Sequence, residues 1–342
     1  MTRFLLHRLI YFTLALWLLT VFSFLLNWLF PGDVITNMSG IRAISDSYAS
    51  EFALRGGDDN LVMQYVYYLQ NLINFDWGYS LVSQQPVWLE ASRTFMATAE
   101  ILLLALLLAL VVGLPLGALA AMRYHSGVDK TIVSIAVGGY SIPVFWLAQL
   151  LILLFAVKLR WLPITGQIDP LFLIEPQSGS VLLDIALSDS AHKAAAYRDA
   201  LAHMVLPVIV LASLPAMLLL RMMRNTTVEV MQQPYIKAVR ARGLSPLRVA
   251  VKHAIPNAIQ GILQQLTFIF GLMLANAVIV ESIFNWPGIG SWLLKAIIDR
   301  DYPVIQAALL ILVATTLFAN LLFELYRGWR FPIVREERYG AT

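Results

Sequence analysis

An all-α polytopic membrane fold with six transmembrane helices is what this sequence predicts, and three observations carry it. Only 13% of residues are charged and 59% are hydrophobic, against about 25% charged in an ordinary soluble domain. Apolar stretches close to the ~20 residues needed to cross a bilayer recur along the chain. Lys and Arg gather beside alternate ends of those stretches, the positive-inside pattern. The short alternating strands of an outer-membrane barrel are missing. Zero cysteines exclude disulfides, thiolate chemistry and Cys-ligated metal. The net charge of +3 is no nucleic-acid signal, because the bases flank spans instead of covering a soluble face.

Residues 1–30 hold the first span. Arg3, His7 and Arg8 precede the apolar run 9–30. That run is too long for a signal peptide and lacks a small-x-small cleavage site, so it reads as a retained helix. Residues 31–93 are polar and acidic and belong outside; within them 61–73 predicts one amphipathic helix near the interface, with Tyr65, Tyr67, Tyr68 and Trp77 at headgroup depth.

The second span covers 95–122, where Gly113, Pro115 and Gly117 predict a kink and close helix contact. Glu100, one turn in, reads as an acid near the headgroups accepting a hydrogen bond, with a substrate ligand as the alternative. Arg123, His125 and Lys130 mark a short inside loop. The third span, 132–157, contains Gly138-Gly139-Tyr140-Ser141-Ile142-Pro143. The glycine pair lets a neighbour approach, and Pro143 frees a carbonyl that must face protein or water. Gly139, Ser141 and Pro143 therefore form either a pore-lining bend or a packing kink.

A polar segment, 158–200, is expected outside before the fourth span, 201–223, with His203, Pro207 and Pro215. The fifth span, 259–280, carries Gln264, Gln265 and Asn276, amides that either bridge helices or line an aqueous path. Residues 281–302 are expected outside, 303–326 form the sixth span, and Arg327, Arg330, Arg335 and Arg338 keep the tail 327–342 inside. Fifteen of the 24 Lys and Arg fall in the segments this topology places inside, so both termini are expected to be cytoplasmic.

Between the fourth and fifth spans, 224–258 holds the longest basic segment of the chain. Lys237, Arg240, Arg242, Arg248 and Lys252 lie there with no acid among them. Residues 235–242 predict about two helical turns, Gly243 a permissive C-cap, and Ser245-Pro246 an N-cap and first-turn proline. Pro256 is expected to break or kink the second helix. Such a hairpin suits docking of a partner; an ordinary loop that only fixes orientation is the plain alternative.

The spacing of Ala238, Gly243 and Pro256 resembles the EAA loop of binding-protein-dependent ABC importer permeases. Lys237 stands where that family often has Glu, but Tyr235-Ile236, Arg240-Ala241-Arg242 and Gly243-Leu244 fit the peptide-permease variant. Further likenesses follow in family order: Asp76-Trp77-Gly78-Tyr79-Ser80, Ser141-Ile142-Pro143, Arg160-Trp161-Leu162-Pro163, Phe284-Asn285-Trp286-Pro287-Gly288 and Arg300-Asp301-Tyr302-Pro303. The stretch 174–190 is similar to the SapB-type peptide permeases within this dipeptide and oligopeptide (DppB/OppB-like) group.

The resemblance implies a type I ABC importer permease fold. It implies that Tyr235, Lys237, Ala238, Arg240, Arg242, Gly243 and Pro256 couple to a separate ATPase, which uses ATP and Mg while this chain binds no cofactor. It implies a second homologous permease, two ATP-binding cassette subunits, a periplasmic solute-binding protein and a place in the bacterial inner membrane. Asp184, Asn285, Trp286 and Gly288 are expected to meet the binding protein. Cationic antimicrobial peptides are the expected cargo, with dipeptides, oligopeptides, nickel, haem or a polyamine such as putrescine as alternatives. No P-loop, H-E-x-x-H or G-x-S-x-G occurs, and the five histidines lack metal-ligand spacing. A self-contained secondary carrier is the remaining class, and it has little use for a basic hairpin.

Overall fold

The structure, a computed structural model, describes residues 2–330, with side chains from residue 4; Arg3's side chain and the tail bases Arg335 and Arg338 lie outside that description. Among the described residues there is no strand, only an isolated bridge between Tyr79 and Pro86. Five helices are long and apolar enough to cross a membrane, or six if one sharply bent pair counts as a span.

Helix α1 is Thr2–Leu29, the retained first span. Short helices α2 (Val34–Ser39) and α3 (Tyr48–Leu54) follow, then α4, Leu61–Ile73, with the bounds the amphipathic pattern predicts and an Asn60 N-cap. Two of the tyrosines of α4 pack on α1. Tyr65 shares a hydrogen bond with Thr20, and Tyr68 donates to Ser23, both on α1. Burial pushes the Tyr68 hydroxyl up to about 12, so it stays protonated as a donor.

The centre of the molecule is the pair α5 (Val87–Met122) and α9 (Lys193–Gln232). Their contact explains a pattern in the sequence: Ala97, Ile101, Ala105, Ala109, Gly113, Gly117 and Ala121 recur every fourth residue and are all buried. Small residues at that spacing let two backbones approach closely. A Cβ on Gly113 would lie 2.7 Å from the Ala216 carbonyl oxygen, and one on Gly117 2.4 Å from that of Leu220. At 40 residues α9 overruns the expected fourth span at both ends. Pro207 and Pro215 do not stop it, because both are buried where neighbouring helices hold the local backbone.

The third span is broken. Helix α6 (Gly127–Ser141) and helix α7 (Val144–Leu151, continued as a π-turn to Lys158) meet at 99°. Ile142 and Pro143 are both extended, since a residue before proline is driven out of the helical region and proline cannot donate. Helix α8, Val181–Leu187, is capped by Ser180.

After α9 come α10 (Pro234–Ala241), α11 (Pro246–Val249), a π-turn over Ala250–Ala254, α12 (Ile255–Leu263) and α13 (Leu266–Ile283). The fifth span is thus divided at Gln264 and Gln265. The segment expected as an outer loop, 281–302, contains a helix, α14 (Ile289–Asp299), before the final α15 (Tyr302–Arg330). Helices α1 and α15 are joined by polar links: Gln306 donates to Asn27 at 2.5 Å, and Arg8 pairs with Glu324 at 2.7 Å.

Candidate functional site

The basic hairpin folds as a unit. Gln233 is extended between α9 and α10, and Pro234 fills the first turn of α10, where its missing N–H costs nothing. Gly243 takes φ +81°, and its N–H returns to the Arg240 carbonyl at 2.9 Å. A Cβ there would meet no atom within 4 Å, so glycine is required by backbone conformation and not by space. Ser245 starts α11 without a side-chain cap, contrary to expectation. The helical turns continue past Pro256, with the regular α-helix interrupted just before it. The proline sits in the first turn of α12, just after the π-turn that absorbs the register change.

Two layers distinguish this hairpin. Its underside, Ile236, Val249, Ala250, Ala254 and Ala258, is fully buried. Its outer side exposes Lys237, Ala238, Arg240, Arg242, Arg248 and Lys252 together with Tyr235, Leu247 and Val251. Asn257 donates to the Tyr235 hydroxyl at 2.9 Å and closes the base. No acid pairs with any of these bases among the described residues. The arrangement can present unneutralised positive charge around an apolar patch on a rigid support.

The pathway candidates divide between the two breaks. Gly139 packs on Met217 of α9, with a Cβ position 3.2 Å from the Met217 side chain, while Gly138 faces open space. Ser141 and Pro143 are exposed at the break of the third span. Gln264 and Gln265 are exposed at the break of the fifth and make no side-chain hydrogen bond, so they do not bridge helices. Asn276 returns its amide to the Leu272 carbonyl of its own helix. No hydrogen bond joins one break to the other.

The outward-surface candidates need correction. Trp286 is 0% exposed and donates its indole N–H to the Ala97 carbonyl at 2.9 Å. Gly288 is buried because a Cβ would lie 2.2 Å from the Glu281 carboxyl carbon. Asp184 is 4% exposed and accepts from the Ser178 N–H at 2.7 Å. Only Asn285 of that set is exposed, at the rim of an open cleft of about 410 Å³ whose lining includes Asp184 and Trp286 as well as Gly166 and Pro287.

Four acids carry the architecture, and the sequence assigns a structural role only to Glu100 among them. Glu281 accepts from Thr98 and from the Gly290 and Ser291 N–H groups, capping α14. Asp301 accepts from Ser80 and the Leu81 N–H, which joins two of the peptide-permease motifs across 221 residues. Asp129 takes two hydrogen bonds from the Arg224 guanidinium. Glu100, read as a hydrogen-bond acceptor, accepts from the Ser180 hydroxyl and from the N–H groups of Val181 and Leu182 at the start of α8. A lone acid at a span's end was the signal in each case, but its partner lies far along the chain.

Residues 113–335 match the family described as binding-protein-dependent transport system inner membrane component. The chain belongs to that family. The permease is 39% identical over 320 residues to the di/tripeptide transport system permease protein DppB of Pseudomonas aeruginosa strain UCBPP-PA14, covering 93% of this chain and 94% of that one. It is 37% identical to the putrescine export system permease protein SapB of Escherichia coli K12, over 81% of this chain and 86% of that protein. Its fold is similar to a chain of the inward-facing MetNI methionine ABC transporter, with TM-score 0.53 and 18% identity, covering 70% of this chain and 95% of that chain. The family is one of inner-membrane transport components, which are ordinarily non-catalytic, and the apolar helices of the permease agree with that location.

Proposed function

We propose that this permease forms half of the translocation pathway of a peptide importer and is driven by a separate ATPase seated on the hairpin 234–257. The observation that carries this reading is the hairpin's two-layer construction. A loop that only oriented the chain needs positive charge but no buried underside and no exposed Tyr235, Leu247 and Val251 around the bases. A docking surface needs all three: a rigid support, an apolar contact and a charged rim.

The hairpin faces the cytoplasm in this reading, with both termini on the same side. The other half of the pathway is a second, homologous permease with its own ATPase, and a binding protein delivers cargo from outside. The exposed amides and backbone at the two breaks suit the wet seam between the halves, where unpaired polar groups avoid hydrocarbon. Short peptides are the cargo class favoured by the likeness to a di/tripeptide permease, which is wider and higher than that to a SapB protein.

The test is copurification after Arg240→Glu with Arg242→Glu. The ATPase should be lost while cysteine labelling still finds the hairpin inside, and the loss should shrink at high salt. Inverted labelling with the ATPase retained would favour the orienting loop. The intact mass of the unmutated complex also counts: two copies of this chain in place of one would remove the second permease from the proposal.

A further inference from the structure

We propose that Asp129 and Arg224 form a positioning strut that carries movement of the hairpin to the break in the third span; the proposal rests on the hairpin being the ATPase seat. Arg224 lies about two turns before the end of α9, and only Gln233 separates that end from α10. Displacement of the hairpin therefore acts on the part of α9 that holds Arg224. Asp129 is in the first turn of α6 and is 2% exposed.

The link is stiff. Arg224 donates from Nε at 3.1 Å and Nη2 at 2.9 Å to the two Asp129 carboxylate oxygens. A bidentate pair fixes direction as well as distance. The carboxylate also accepts from the His125 N–H at 3.0 Å, and the guanidinium lies 4.9 Å from the Tyr124 ring centre. The loop between α5 and α6 is thus clamped to α9 from two sides.

At its far end α6 stops at Ser141, where only the extended pair Ile142 and Pro143 connects it to α7 across the 99° bend. Helix α6 is clamped to α9 at its start and rests on Met217 of α9 through Gly139 near its end, so movement of α9 is carried along its roughly 22 Å to the two-residue break. A buried ion pair contributes little net stability over apolar packing in many proteins, so stability alone does not account for this one. An ion pair with fixed geometry joining the hairpin's root to the broken span is what a relay requires.

The experiment uses the full complex in lipid vesicles, with ATP hydrolysis measured with and without cargo-loaded binding protein. Asp129→Asn and Arg224→Gln should keep the ATPase bound but reduce the ratio of stimulated to unstimulated hydrolysis by roughly tenfold, the size of ordinary coupling between sites. The exchange of Asp129→Arg with Arg224→Asp should regain most of it. An unchanged ratio in the single variants overturns the proposal, as does loss of the ATPase itself, which would make the pair a support of the docking surface. Should the single variants accumulate poorly, nitroxides at Tyr140→Cys and Leu187→Cys in the otherwise unaltered, cysteine-free chain give a second reading. Their distance should differ between nucleotide-free and ATP-trapped complexes, and an unchanged distance overturns the strut. A crosslinker at Arg242→Cys that never captures the ATPase in the unaltered background removes the docking reading underneath it, and the strut with it.

Discussion

Glu281 and Thr98 stand 183 residues apart in sequence and share a 2.6 Å hydrogen bond between α13 and α5. Thr98 in turn accepts from the Ile289 N–H at 2.8 Å, and Glu281 accepts from the next two N–H groups of α14. Two side chains thereby satisfy three of the four orphan donors that open a helix. Gly288 and Gly290 are the complement, since side chains there would occupy the carboxylate's position.

Removing that acceptor should loosen the outer end of the fifth and sixth spans. Glu281→Ala leaves buried donors unpaired, at a cost on the order of 3 kcal/mol. Glu281→Gln keeps one acceptor oxygen and should cost less. Thermal unfolding in detergent checks both, and equal stability of the Ala variant and the unaltered chain would deny the latch its role.

Two glycines in similar apolar helices should respond in opposite ways to alanine. Gly117→Ala gains helix propensity of about 1 kcal/mol but drives a Cβ to 2.4 Å from a carbonyl oxygen of α9. Backbone cannot swing aside as a side chain can, so the net effect should be a loss on the order of 1–3 kcal/mol. Gly138→Ala meets nothing within 4 Å and should be neutral or slightly stabilising. Melting temperatures that fall equally in the two variants would contradict the contact.

At Gly243 the expected defect is functional and local. With open space around it, a side chain is opposed only by the left-handed backbone, at about 1–2 kcal/mol. Gly243→Val should therefore reach the membrane in normal amount, unfold at nearly the normal temperature, and hold the ATPase more weakly. Undiminished ATPase binding by a normally accumulating Val variant would separate this turn from docking.

Neighbouring residues on the outer side should behave differently. Asn285 is exposed, so a photo-crosslinker there is expected to capture the binding protein. Trp286 fills the core, and Trp286→Ala should destabilise the chain by ~3–5 kcal/mol without a selective effect on binding-protein affinity. Capture only of lipid from position 285 would count against the outer rim as the landing surface.

The sequence by itself determined the class of fold and the hairpin, and set six apolar runs of which five are single spanning helices and the third is a bent pair. Each of these follows from local or periodic physics. Bilayer thickness sets the length of apolar runs, helix 61–73 follows from its 3.6-residue pattern and Asn60 cap, and Gly243 between two short basic helices reads as a left-handed turn. Even the α5–α9 seam is visible as small residues every fourth position, once one looks for it.

What tertiary structure decided is where the polar residues go. A membrane interior leaves a lone acid or amide no water, so its role depends wholly on which distant group reaches it. Trp286 looks like a loop aromatic and is core, because the Ala97 carbonyl accepts its indole N–H. Asp129 looks like a loop acid and is a clamp, because α9 continues past the expected fourth span and brings Arg224 beside it. Pro143 announces a bend in either case, but its 99° goes with α6 packing on α5 and α9 while α7 packs on α9 and α13. Those pairings join residues tens to hundreds of positions apart, and no local pattern encodes them.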